Sequence, residues 1–164
     1  MTLAGLGVLL VVAAYAAYDS RERSPRVAAE VGALAPDVRL TGLEGQEMQL
    51  SQFRGRPLLL NFRTTWCGYC RQEAPELQAA HETLPELVVL GVYIDESAGQ
   101  VSSYAQQLGL TFPVALDDGG ESAQAYNVRG IPMSFFLDAG GVITAQHLGP
   151  LSLERIRSYL SEQG

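Results

Sequence analysis

The chain has 164 residues, 47% hydrophobic and 18% charged, enough for one globular domain with a single core. Its formal net charge of −7 leaves no basic surface for a phosphate backbone, so nucleic-acid binding is excluded. All eleven cationic residues are arginine, which removes lysine-based Schiff-base and general-base chemistry.

Residues 3–18 are sixteen consecutive uncharged positions, mostly Leu, Val and Ala, followed by Asp19, Ser20, Arg21, Glu22 and Arg23. At about 1.5 Å per residue such a helix reaches roughly 24 Å, short of a hydrocarbon core of roughly 30 Å, so it lies between a short anchor and a signal-peptide apolar region. The expected organisation is residues 1–20 as membrane anchor or signal segment, 21–33 as linker and 34–164 as folded domain. Arg21, Arg23 and Arg26 follow the run, the reverse of the positive-inside arrangement for a domain outside the cytoplasm.

Further along, residues 38–40 and 48–50 alternate around Gly42-Leu43-Glu44-Gly45 and predict a β-hairpin. Residues 58–62, apolar but for Asn61, have the pattern of a strand buried on both faces. Helical spacing begins at 73–84, then come a buried strand at 87–94, a helix at 101–108, a short strand at 112–116 and a short helix at 121–126. Residues 134–138 and 142–147 bracket Gly140-Gly141 as a second hairpin, and 153–160 read as an amphipathic helix. This alternation predicts an α/β sheet, parallel at its centre with an antiparallel hairpin near its end.

The only two cysteines, Cys67 and Cys70, sit at Cys-x-x-Cys spacing at the end of the 58–62 strand. Zinc would need four ligands, and His81 and His147 are lone and distant; c-type haem would need His at position 71, which is Arg. Two inert buried thiols are the bland alternative. On the first turn of a helix, such a pair presents one sulfur at the N-terminus, where free N–H groups and the helix dipole favour the thiolate. Cys67 would then attack a disulfide, and Cys70 would displace the resulting mixed disulfide.

The stretch Asn61-Phe62-Arg63-Thr64-Thr65-Trp66-Cys67-Gly68-Tyr69-Cys70-Arg71-Gln72-Glu73-Ala74-Pro75 resembles the active site of the TlpA/ResA-like membrane-anchored thioredoxin-like oxidoreductases. Val128-Arg129-Gly130-Ile131-Pro132, followed by Phe135-Phe136-Leu137-Asp138, resembles the family's cis-proline segment. The resemblance implies a thioredoxin-like α/β fold: a mixed central sheet flanked by helices, with an N-terminal β-hairpin and an insertion at 101–116. It implies Cys67 and Cys70 as the catalytic pair, Glu73 as a buried acid accepting the Cys70 proton, and Trp66, Ile131 and Pro132 as the substrate-binding surface. It also implies a helix-kinking role for Pro75.

No cofactor beyond the Cys67–Cys70 disulfide is implied. Implied partners are client proteins such as apocytochrome c, a membrane-bound electron donor, and the membrane itself through residues 3–18, with the domain outside the cytoplasm. Asn61 falls where thioredoxin has a buried acid, and an amide cannot relay a proton. Arg63 stands where relatives usually have an aromatic residue; it either adds positive potential that lowers the Cys67 pKa or faces solvent. Tyr69 replaces the commonest proline and keeps a disulfide isomerase or oxidase open. A peroxidase reading meets Leu60 where the peroxidatic loop needs proline, and a non-catalytic binding module would leave the disulfide merely structural.

Overall fold

The computed structural model describes residues 11–15 and 26–162. Residues 11–15 are helical and exposed, and no helix among the described residues is long and apolar enough to cross a membrane. The rest of the segment expected to reach one lies outside the described residues.

The apolar run becomes β3, an interior strand of the sheet. In chain order the strands are β1 (Arg39–Gly42), β2 (Glu47–Gln49), β3 (Leu58–Arg63), β4 (Val88–Ile94), β5 (Val114–Asp117), β6 (Met133–Leu137) and β7 (Ile143–Leu148). They form one seven-stranded sheet in the order β2-β1-β5-β4-β3-β6-β7. β3 pairs in parallel with β4 and antiparallel with β6, and β4 pairs in parallel with β5. The parallel centre and the two antiparallel hairpins therefore stand as the sequence predicts, and the fold is thioredoxin-like.

Side chains alternate across the sheet. Leu58, Leu60 and Phe62 join Leu90, Val92, Phe135 and Tyr126 on one face, while Leu59 joins Val89, Phe136, Leu77, Ala80 and Ile156 on the other. Each buried Leu or Phe contributes about 1.5–3 kcal/mol. The second face is covered by the helices α1 (Gly68–Thr83) and, at the C-terminus, α4 (Leu153–Ser161); α2 (Ala98–Leu108) and α3 (Glu121–Ala125) lie between them in sequence. Period-two alternation puts Asn61 and Arg63 on the Leu59 face. The α1-facing positions of β3 thus change from leucine to polar side chains where the strand passes beneath the first turn of α1.

Gly91, paired with Asn61 in the register, makes room there. A Cβ at Gly91 would stand 3.0 Å from Phe112 Cε2 and 3.5 Å from Arg63 Cδ, so a glycine inside β4 is what lets the arginine stem lie against the strand.

Two boundaries differ from the periodicity. α1 begins at Gly68 rather than 73, because Cys67 caps it before the apolar spacing becomes regular. Residues 26–33, expected as linker, run beside β7: Gly32 N donates to Ile143 O at 2.8 Å, Ile143 N to Ala33 O at 2.9 Å, and Gln146 Nε2 to Ala29 O at 2.8 Å. A polar, alanine-rich composition hid this, since the segment is held by main-chain pairing to an edge strand rather than by burying apolar side chains.

Candidate active site

Cys67 is the N-cap residue of α1, with extended backbone (φ −78°, ψ 115°), and its Sγ accepts from Cys70 N at 3.1 Å. That places the sulfur among the free amides of a sixteen-residue helix, where negative charge is favoured. Cys67 and Cys70 are joined as a disulfide with their Cα atoms 5.2 Å apart. Cys67 retains 7% exposure and Cys70 none, so the first sulfur is the one a partner can approach.

Across from the sulfurs, the Ile131–Pro132 peptide bond is cis, and Ile131 O lies 3.9 Å from Cys67 Sγ. Pro132 is buried and Ile131 half-buried. The turn is fixed from behind, with Gly149 N donating to Pro132 O at 2.9 Å. Trp66 and Tyr69 flank the motif at 75% and 65% exposure, so neither ring is packed into the core. The two rings and Ile131 give the disulfide an apolar rim.

Glu73 sits one helical turn beyond Cys70 and is 1% exposed, on the sheet side of α1. Its Oε1 accepts from Asn61 Nδ2 at 2.8 Å and its Oε2 from Leu151 N at 3.1 Å. Burial raises its pKa above the ordinary 4.5, opposed by the nearby Arg63 charge, the Leu151 N–H and the Asn61 amide. Glu73 is therefore not a solvated surface glutamate. Asn61 spends its second N–H on Ser134 Oγ at 2.9 Å, so the amide orients the acid without relaying a proton.

Arg63 corrects one alternative outright: it does not face solvent but is fully buried. Its Nη2 donates to Cys70 O at 2.6 Å, its Nη1 lies 3.5 Å from Asn61 Oδ1, and its guanidinium stands 5.5 Å from the Tyr93 ring centroid. The Cys70 carbonyl, in the first turn of α1, is thus held from below by a cation. Pro75 lies inside α1, as the motif match implies.

Sequence reasoning missed three contributors. Leu151 N carries no side-chain signal at all. Ser134 is visible only once β6 is registered against β3, which sets it opposite Asn61. Glu96, just past β4, accepts from Thr65 N at 2.8 Å and Thr65 Oγ1 at 2.5 Å, pinning the loop that delivers Trp66 and Cys67. An acid just beyond the C-terminal end of the strand beside β3 was the available cue.

Among the described residues no group of three or more His, Cys, Asp or Glu could hold a metal ion. The site brings together two sulfurs and one buried carboxyl.

The AhpC/TSA family model matches residues 31–146. Thiol-disulfide oxidoreductase ResA of Geobacillus kaustophilus is 34% identical over 98% of this chain and 92% of its own length. The crystal structure of StoA from Bacillus subtilis superposes with a TM-score of 0.67 at 26% identity, covering 77% of this chain and 98% of that one. A secreted thiol-disulfide isomerase from Corynebacterium glutamicum gives 0.71 at 26% identity, covering 76% and 81%. With its Cys67–Cys70 pair at disulfide distance on a thioredoxin-like sheet, the chain belongs to the AhpC/TSA family and, within it, to the ResA-like thiol–disulfide oxidoreductases.

Proposed function

We propose that this oxidoreductase works outside the cytoplasm, tethered through residues 3–18, as a reductase of client protein disulfides of the kind found in apocytochrome c. The observation that carries the reading is Glu73: a buried carboxyl with raised pKa, held by Asn61 and Leu151 N one turn behind the resolving sulfur. Such a group is suited to take a thiol proton near neutral pH.

In the reduced protein the Cys67 thiolate attacks one sulfur of the client disulfide. A Cys67–client bond forms, the client S–S bond breaks, and the departing client sulfur takes up a proton. Glu73 then accepts the Cys70 proton, and the Cys70 thiolate attacks Cys67 Sγ. The mixed disulfide breaks, the second client thiol leaves, and the enzyme holds the Cys67–Cys70 disulfide seen in the structure. Two electrons have passed to the client. A membrane-bound dithiol donor would restore the reduced state, and a tether raises the effective concentration of both partners.

The apolar rim of Trp66, Tyr69 and Ile131 supports an extended client segment lying along the cis-proline turn. Tyr69 is also the feature that favours isomerase or oxidase action, so direction is what the test must read. Reduced protein is mixed with an oxidised Cys-x-x-Cys-His peptide, the haem-attachment sequence. The reading expects peptide thiols to appear in step with loss of enzyme thiols. Enzyme disulfide oxidising a reduced peptide as the favoured direction would overturn it.

A further inference from the structure

β3 carries a full positive charge into the interior beneath the motif, and neither attack by Cys67 nor proton acceptance by Glu73 accounts for it. Burying a guanidinium is costly unless its hydrogen bonds and charge are answered. Here both Nη atoms turn to the redox unit, the Tyr93 ring stands 5.5 Å from the guanidinium, and among the described residues Nε has no hydrogen-bond partner. Arg63 Nη2 reaches Cys70 O at 2.6 Å, Nη1 approaches Asn61 Oδ1 at 3.5 Å, and the same Asn61 donates to Glu73 Oε1 at 2.8 Å. The amide stands between cation and acid. The stem of Arg63 lies against Gly91, where a Cβ would come within 3.5 Å of it, so the strand leaves space for this side chain.

We propose that Arg63 is a positioning residue of the resolving half-reaction, one guanidinium fixing the Cys70 main chain and, through Asn61, the orientation and charge state of the Glu73 carboxyl. The proposal rests on Glu73 being the proton acceptor for Cys70. Its consequence is electrostatic: a fixed cation beside the acid favours the carboxylate that must receive the proton, offsetting part of the burial that opposes it. An Arg63 replaced by a neutral group would leave burial unopposed by that charge.

The titratable and charged groups bordering this unit are Tyr93 and Glu96 at the end of β4, Tyr104 on α2, Arg71 and the two cysteines at the start of α1, and His147 on β7. Tyr93 is pushed up to about 12 by burial and stays neutral in the working range. Arg71 lies over Tyr104, 5.0 Å from its ring centroid, and His147 is engaged by Tyr159 Oη at 3.2 Å and Pro150 O at 3.3 Å. Glu96 is taken by Thr65 N and Oγ1.

The test is the pH dependence of mixed-disulfide resolution by Cys70, followed in single turnover for the parent, R63Q, R63K and E73Q. Resolution needs the Glu73 carboxylate, so the rate rises with pH through an acidic limb. The expected result is that R63Q moves this limb upward by about one pH unit or more. R63K, which keeps the charge, returns the limb to the parent's position, and E73Q abolishes it. A limb that persists in E73Q removes Glu73 as the base and the proposal with it. A limb lost in E73Q but unmoved in R63Q leaves the base in place and overturns the role of Arg63 alone.

Should the Arg63 variants fail to fold, the parent supplies the reading. The Arg63 Nε–Hε resonance is expected to shift with pH at the same midpoint as the limb; a resonance that does not move as Glu73 titrates would overturn the proposal.

Discussion

Cys67→Ser is expected to reduce insulin disulfides no faster than the protein-free reaction, whereas Cys70→Ser is expected to stop after one event with the client covalently attached. Both follow from the cap geometry. Cys67 Sγ is the sulfur with residual exposure, it accepts the Cys70 amide at 3.1 Å, and it sits at the positive end of α1. A serine oxygen there does not perform exchange at neutral pH. Cys70 is fully buried with its sulfur joined to that of Cys67, so its loss leaves the first attack intact and removes the intramolecular exit. Non-reducing electrophoresis of Cys70→Ser with insulin reads the trapped species as a band that dithiothreitol dissolves. A Cys67→Ser protein that still reduced insulin would mean that Cys70 attacks first, or that the disulfide plays no catalytic part.

Glu73→Gln should slow resolution by about 10²-fold or more near neutral pH while leaving the Cys67 attack step unchanged. Glutamine keeps an oxygen for Leu151 N but cannot take a proton. The variant also changes stability in a direction that can be worked out. Burial raises the Glu73 pKa in the folded protein above the ordinary 4.5, so the native state binds the proton more tightly than the unfolded chain does. The stabilisation tied to that proton is complete below about 4.5 and is lost as pH rises through the folded value. Unfolding free energies of the oxidised protein measured across this range should therefore decline with pH in the parent relative to Glu73→Gln. A parallel dependence in both proteins would show that Glu73 is not perturbed.

The sequence made the central chemistry readable because it is carried by local patterns. A run apolar but for Asn61 places residues 58–62 between two neighbours, and two cysteines three apart soon after it have few other uses. The cis-proline was legible only through the family motif, since nothing in an Ile-Pro pair distinguishes a cis bond from an ordinary turn. Glu73 was legible as a candidate by its place in that motif, but its burial depended on α1 lying across β3 with Leu151 N waiting beneath.

Arg63 shows where reading residues singly fails. A charged residue at the end of an apolar run reads as the exit to solvent, and the structure instead buries it, because Gly91 on the next strand opens a channel and Cys70 O and Asn61 supply acceptors. Asn61 and Cys70 are near Arg63 in the chain, but the space for its stem comes from Gly91 on the neighbouring strand, which only the strand register reveals. Residues 26–35 were obscured for a related reason, being ordered by main-chain bonds to the β6–β7 hairpin rather than by side-chain pattern.

The account stands most directly on the reduction potential of the Cys67–Cys70 couple, obtained by equilibrating the protein with thiol–disulfide buffers of known poise. A reductase of client disulfides requires a value no more oxidising than the glutaredoxin range of roughly −200 to −230 mV. A potential more oxidising than that range would contradict the account and make the protein a donor of disulfides rather than a remover of them.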